Sequence, residues 1–140
     1  MRLLGIDPGA NTGLAVIDGL QLVSLETIEP LHIERRIIAI APDRVVFEDS
    51  RLETKLWTTN RVRAVAMSMA RKVGEVDAWC KLIAAACGEL RIACHGISPT
   101  TKGAKVNAAM FEKITGWPAG KSNEHERDAC MVAYRFRRAG

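Results

Sequence analysis

The feature that most constrains this chain is an apolar segment that ends in an acid and a glycine turn. Residues 2–7 (RLLGID) predict a first strand, Pro8-Gly9 predicts a turn, and residues 13–18 predict a second strand. The dipeptide Asp18-Gly19 is typical of a β-hairpin, so residues 20–28 predict a third strand. The predicted fold therefore opens with three successive antiparallel strands.

The remaining chain alternates helical and strand patterns without a repeat or an evident linker. The predicted elements are a helix over 31–41, a buried strand over 44–48, a long helix over 61–87, a strand over 90–97, a helix over 104–115, and a helix from the cap Asn123 to about 137. With 140 residues, of which 48% are hydrophobic, the chain fits one compact domain over residues 1–140. Because crossovers between parallel strands are right-handed, the order of elements predicts an α/β fold. Its mixed five-stranded sheet has three antiparallel strands, then two parallel ones, with helices on both faces.

Composition sets weaker limits on function. The net charge of +4 and the pI of about 9.1 are compatible with a polyanionic partner without requiring one. No apolar run has the length of a signal peptide or a membrane span, so we expect a cytoplasmic protein without a membrane partner. The cysteines, which lack metal-ligand spacing and suit a reducing compartment, are Cys80, Cys87, Cys94 and Cys130.

Three acids are placed where they could meet. Asp7 ends the first strand and Glu48 ends the fourth, so two parallel neighbouring strands would bring both carboxylates to one sheet edge. Asp128 lies on the last helix and shares a face with His125, three residues earlier. Converging carboxylates suit Mg²⁺, with Mn²⁺ as a substitute, and two such ions about 4 Å apart can drive phosphodiester cleavage. The sequence therefore predicts a metal-dependent nuclease, in which His125 is a ligand or a proton relay.

Each of these residues also has an ordinary structural interpretation. Asp7 could simply end a strand at an Asp-Pro-Gly turn, and Asp49 competes with Glu48 as the acid of the fourth strand. A single histidine on a helix is more often structural, and Glu124 could replace it beside Asp128. The three acids together favour catalysis.

These motifs resemble a known family. Gly5-Ile6-Asp7-Pro8-Gly9 with Thr12-Gly13, Val46-Phe47-Glu48 and His125-x-x-Asp128-Ala129 are similar to motifs of the RuvC-type Holliday junction resolvases of the RNase H-like superfamily. The resemblance covers nearly the whole chain. It implies a homodimer that binds four-way DNA junctions and makes paired symmetric nicks, with Mg²⁺ held by the equivalents of Asp7, Glu48, His125 and Asp128.

The same resemblance implies basic residues after the fifth strand that touch the scissile region. Lys102 and Lys105 fall there, among hydroxyls and a glycine at a predicted helix start, where free N–H groups also attract phosphate. One of the two would steady the scissile phosphate or the leaving oxygen.

Compared with the family, the chain is short, which suggests a phage or mobile-element version. It also lacks the aromatic or apolar wedge that often follows the catalytic Glu, since Asp49-Ser50-Arg51 follow Glu48.

The segment around the long helix supplies candidate DNA contacts and a candidate dimer interface. The predicted DNA-contacting residues are Arg51, Lys55, Trp57, Arg61, Lys102 and Lys105. The basic ones also suit a solvated face, and Trp57 suits packing as well as base stacking.

A heptad-like seam runs along the helix at Val62, Ala66, Met69, Val73, Val76, Cys80, Ile83 and Cys87. The helix would be about 40 Å long, more than a small sheet covers, which favours pairing with a second copy.

Three other functions compete with this one. A nuclease of the YqgF type would keep the fold but act on RNA as a monomer. A non-catalytic junction-binding protein would not need an acid at every expected position. A nucleotide-binding module of the actin and sugar-kinase superfamily would need two facing domains, which 140 residues cannot supply.

Overall fold

The computed structural model describes residues 1–52, 63–101 and 103–138. Its centre is a five-stranded sheet in the order β3-β2-β1-β4-β5. The strands are β1 (Arg2–Asp7), β2 (Thr12–Asp18), β3 (Gln21–Ile28), β4 (Arg44–Glu48) and β5 (Ala93–Ile97). β1 to β3 pair antiparallel, whereas β4 runs parallel to both β1 and β5. The predicted fold class and the mixed strand directions are confirmed.

Local turn chemistry explains the antiparallel half of the sheet. β2 and β3 are joined by a two-residue loop, with Asp18 paired to Gln21 and Gly19 at a φ of 62°. Only glycine adopts this left-handed conformation without steric cost, so the Asp-Gly dipeptide specifies the hairpin.

Helices cover both faces of the sheet. They are α1 (Ile33–Ile40), α2 (Arg63–Leu90), α3 (Ala108–Thr115) and α4 (Glu124–Tyr134). One core cluster joins α1 and α2 to the sheet, and a second joins Phe111 of α3 and the buried side of α4 to the opposite face. β4 contributes to both clusters, with Val45 and Phe47 in the first and Val46 in the second. Burying each such side chain contributes roughly 1.5–3 kcal/mol, which explains why the three central residues of this strand are apolar.

Three predicted boundaries were wrong. α3 begins at Ala108 rather than at residue 104, because the side chain of Asn107 accepts a hydrogen bond from the Met110 N–H and caps the helix there. α2 continues past Gly88 to Leu90, where Arg91 adopts a φ of 56° and the Ile92 N–H donates to the Cys87 carbonyl. β5 consequently begins at residue 93 and not at 90.

Candidate active site

Asp7 is held at the end of β1 by a closed turn. It pairs with Gly13 across the β1–β2 ladder. The hydroxyl of Thr12, which is fully buried, donates a 2.8 Å hydrogen bond to the Gly9 carbonyl and closes the intervening loop. The Asp7 carboxylate is therefore presented by a rigid strand end and not by a free loop.

Glu48 reaches the same edge of the sheet because β4 runs parallel to β1. Ile6 pairs with Phe47, so the residues that follow them, Asp7 and Glu48, leave adjacent strands side by side. This is the edge at which α/β sheets usually bind ligands. The structure places Glu48 in a cleft at this edge, whereas Asp49 points elsewhere.

Asp49 has a structural environment of its own. Its buried carboxylate accepts hydrogen bonds from the Arg51 guanidinium at 2.8 and 2.9 Å and packs against Gly96. These bonds with Arg51 hold the pKa of Asp49 below its usual range, although burial opposes the shift. Arg51, predicted to contact DNA, is thus already engaged with a neighbouring carboxylate.

Helix α4 lies unusually close to the sheet, and two glycines allow it. A Cβ added at Gly13 would meet the His125 carbonyl oxygen, and one at Gly5 would meet the Ala129 carbonyl oxygen, both far inside the 3.0 Å that real Cβ atoms keep. The helix backbone therefore rests on β1 and β2 where side chains would otherwise stand. This contact brings His125 and Asp128 to the end of β1.

The start of α4 is also anchored by its cap. Asn123 and Glu126 form a reciprocal capping box, which confirms the predicted cap, and the Asn123 amide donates to the Thr27 hydroxyl at 2.7 Å. Glu126 in turn accepts from the same hydroxyl at 3.2 Å. The first turn of α4, which carries His125, is thereby tied to β3.

The four predicted ligands meet in one cleft of about 350 Å³, which we call the carboxylate cleft. It is lined by Asp7, Pro8, Gly9, Ala10, Asn11, Glu48, Lys105, His125 and Asp128. His125 Nδ1 lies 3.9 Å from an Asp7 oxygen, and its Nε2 lies 3.7 Å from a Glu124 oxygen. The Lys105 ammonium lies 3.7 Å from an Asp128 oxygen. The strand ends, α4 and the loop after β5 thus all contribute charged groups to the cleft.

The donor chemistry of the cleft suits a hard divalent cation. The separation of 3.9 Å between Asp7 and His125 is within the roughly 4.2 Å that two ligands can span around one ion with bonds of about 2.1 Å. Within the described ranges, however, no group of three or more His, Cys, Asp or Glu side chains is already arranged to hold a metal ion. Side-chain rotation would have to accompany the binding of a cation by the full set.

The other predicted residues are placed as follows. Lys105 lies in the loop before α3 and not at a helix start, because α3 begins three residues later. Lys55, Trp57, Arg61, Lys102 and the seam residue Val62 lie outside the described residues. Among the later seam residues, Cys80, Ile83 and Cys87 are buried against the sheet.

Sequence reasoning missed two kinds of contribution. The turn residues Pro8, Ala10 and Asn11 line the carboxylate cleft, which their position beside Asp7 could have indicated. Gly5 and Gly13 belong to the first sequence motif, but their contact with α4 joins residues more than a hundred positions apart. No local pattern shows such a contact.

Comparison with known proteins bears on the fold. No protein-family model and no curated protein matches the chain. Among solved structures, RuvC of Thermus thermophilus in complex with a Holliday junction substrate matches with a TM-score of 0.68 and 21% identity, over 100% of this chain and 96% of that one. The chain has the fold of RuvC. A second structure of Thermus thermophilus RuvC matches with a TM-score of 0.63 and 18% identity, over 100% and 97% of the two chains.

The predicted resemblance to RuvC is therefore confirmed at the level of the fold, which is RNase H-like. In the part of the chain that the structure describes, no helix is both long and apolar enough to cross a membrane.

Proposed function

We propose that this chain is a structure-selective DNA endonuclease that resolves four-way junctions by paired symmetric nicks. The observation that carries the proposal is the carboxylate cleft itself. Asp7, Glu48 and Asp128 come from three different elements of a RuvC fold and line one cleft, with His125 and Lys105 beside them. Residues 1–140 would act as one nuclease domain.

The acids and the imidazole would hold divalent cations, Mg²⁺ or in its place Mn²⁺. When bound, a pair of such ions supplies an activated water and neutralises the charge that develops in phosphodiester cleavage. Asp7 and Glu48 are presented by rigid strand ends, so they would fix the positions of the cations at the sheet edge. His125 is close to both Asp7 and Glu124, which would keep its ring beside the Asp7 carboxylate.

Lys105 would act on the phosphate directly. Its side chain is 69% exposed at the rim of the cleft, and its ammonium is paired with the buried Asp128. An ammonium in this position can turn to the non-bridging or leaving oxygen of a bound phosphodiester and offset its growing negative charge. Lys102, three residues earlier, is the alternative for this role.

DNA affinity would come from groups outside the cleft. Arg63, Arg71 and Lys72 are exposed on α2 and can follow a duplex arm. The contacts predicted from the sequence at Lys55, Trp57, Arg61 and Lys102 would add to this affinity. Arg51 would have to exchange its bonds with Asp49 for a phosphate. Because phosphate contacts dominate affinity, junction binding should survive the loss of a catalytic acid.

A homodimer through α2 would place two clefts on one junction. α2 has 28 residues, and one face of its C-terminal half is buried on the sheet, whereas Val65 and Met67 near its start are 42% and 50% exposed. Val65 and Met67 are two residues apart and lie on different faces of α2, and a second copy that covered either of them would favour pairing. Sedimentation equilibrium tests this: a monomer at the concentrations used for cleavage would count against paired nicking.

The deciding experiment is a nicking assay with Asp7→Asn. Synthetic four-way junctions, matched linear duplex, RNA–DNA hybrid and RNA are each incubated with Mg²⁺ or with chelator. We expect symmetric nicks on the junction alone, lost with chelator and with Asp7→Asn, while gel-shift affinity for the junction is retained.

Asp18→Asn is the matched control, since Asp18 ends β2 at the opposite edge of the sheet, where it pairs with Arg2 on the surface. That variant should nick like the unmodified protein. Cleavage of RNA or hybrid instead of the junction would move the function to RNA processing. Full junction cleavage by Asp7→Asn would refute the assignment of the site.

A further inference from the structure

Arg127 is a half-buried cation whose contacts lead out of helix α4 toward two loops. It lies on α4 between His125 and Asp128. Its Nε donates a 3.0 Å hydrogen bond to the Val106 carbonyl. Its Nη1 donates to the carbonyl and the hydroxyl of Ser122 at 3.1 and 3.2 Å. One guanidinium therefore joins α4, the segment just before it, and the loop that precedes α3.

The Val106 carbonyl belongs to the residue directly after Lys105. Earlier in this loop, Thr100 and Thr101 make local hydrogen bonds with Ser98. The Arg127–Val106 bond instead fixes the loop to the helix that carries two of the cleft residues. It thereby sets the position of the Lys105 backbone relative to Asp128.

The Arg127–Val106 hydrogen bond matters because the Lys105 side chain itself is only weakly held. Its side chain is mostly exposed, and its ammonium is 3.7 Å from the Asp128 carboxylate, a long and solvent-screened ion pair. A lysine side chain has many rotamers, so the reach of its ammonium depends on where the backbone places its Cα. A shift of the loop away from α4 would carry the ammonium out of the cleft.

We propose that Arg127 is a positioning residue for catalysis, which holds Lys105 at the carboxylate cleft through the Val106 carbonyl. This inference rests on the proposed nuclease function. The three acceptors are neutral oxygens, one on Val106 and two on Ser122. Arg127 therefore acts here by directing several N–H donors of its planar guanidinium at two segments, and not by pairing charge. Lysine, which is a single point donor, would replace only part of this geometry.

The test is a double-mutant cycle with Arg127→Gln and Lys105→Ala, measured as single-turnover nicking of a four-way junction. Arg127→Gln should lower the rate constant about tenfold in the unmodified background, since a misplacement of about 1 Å can cost up to about a hundredfold. It should change the rate less than about twofold once Lys105 is Ala, because the group it positions is gone. The half-saturating junction concentration should hardly change, and Arg127→Lys should recover part of the rate.

Arg137→Gln is the matched control. Arg137 is also half-buried and donates to a backbone carbonyl, that of Tyr134, with its guanidinium 3.8 Å from the Tyr134 ring centroid. It lies just beyond the C-terminal end of α4, far from Lys105 in the chain. Its loss should lower the melting temperature without changing the nicking rate. Equal rate losses for Arg127→Gln in both backgrounds, or no loss in either, would overturn the proposal.

A second readout separates this inference from the proposed function. Amide hydrogen exchange at residues 103–107 should be faster in Arg127→Gln than in Arg137→Gln or the unmodified protein. If the unmodified protein cleaves no junction, the proposed function fails, and the exchange data alone then decide whether Arg127 anchors the loop. Unchanged exchange at these residues would overturn the anchoring role.

Discussion

The contact between Gly13 and helix α4 allows a quantitative test of how the site is assembled. In Gly13→Ala the new Cβ would collide with the His125 carbonyl oxygen. The obstacle is the backbone of a helix whose start is capped and tied to β3, so it cannot rotate aside as a side chain would. Relief requires the whole N-terminal part of α4 to move away from the sheet.

The size of that movement follows from ordinary packing distances. Restoring a contact of 3.4 Å requires α4 to retreat by roughly 1 Å or more. His125 and Asp128 move with the helix, whereas Asp7 stays on β1. The separation of 3.9 Å between His125 and Asp7 would grow to about 5 Å, beyond the roughly 4.2 Å that two ligands of one ion can span.

We therefore expect Gly13→Ala to lower the single-turnover nicking rate by ten- to about a hundredfold. Overpacking of this kind also lowers the free energy of unfolding by about 1–3 kcal/mol, so cleavage is measured well below the melting temperature of the variant. Junction affinity in the presence of chelator should stay close to that of the unmodified protein, because the basic side chains on α2 do not move.

Gly120→Ala provides the control, since a Cβ there meets nothing within 4 Å and its φ is not in the left-handed region. Gly5→Ala is a second probe, because its Cβ would meet the next turn of the same helix at Ala129. A folded Gly13→Ala protein that nicks at the normal rate would show that the close approach of α4 does not set the ligand geometry.

Two further predictions concern groups outside the cleft. Asp49→Asn should lower the free energy of unfolding by about 1–3 kcal/mol at pH 7 by urea denaturation. Because Arg51 lowers the pKa of folded Asp49, this stabilisation is present above the ordinary value of 3.8 and is lost as the pH falls below it. A difference in unfolding free energy between Asp49→Asn and the unmodified protein that persists undiminished at pH 2 would contradict the ion pair. Cys94 is exposed, and a hydrogen bond with Cys87 lowers its pKa, so it should be the first thiol to react with a disulfide reagent at pH 7.5. Burial raises the pKa of Cys130 to about 12, so Cys130 should stay unreactive until the protein unfolds.

The sequence predicted the sheet well because the signals for it are local. An Asp-Gly dipeptide at a hairpin and an unbroken apolar run in β4 each report a structure formed within a few residues. The mixed strand directions followed from the order of these elements, whereas the strand order β3-β2-β1-β4-β5 was not predicted. The placement of Asp7 and Glu48 at one edge depended on β1 and β4 being parallel neighbours, which the structure shows.

Boundaries and long-range contacts could not be predicted in the same way. The residues before α3 have a helical composition, but the cap at Asn107 is stronger than propensity and starts the helix later. The approach of α4 through Gly5 and Gly13, and the bond from Arg127 to Val106, depend on partners that only tertiary packing identifies. Arg127 in particular looks like any exposed arginine on a helix until its acceptors are known.

The exposed cations of α2 that are proposed for DNA affinity lie on a different element from the groups proposed for catalysis, and this separation has a mechanistic consequence. The cleft is assembled from residues 7, 48, 105 and 128, so it exists only when both strands, α4 and the loop before α3 are packed together. The exposed cations of α2 need only the helix itself. Small displacements of α4 or of the Lys105 loop should therefore abolish cleavage while the protein still binds its junction.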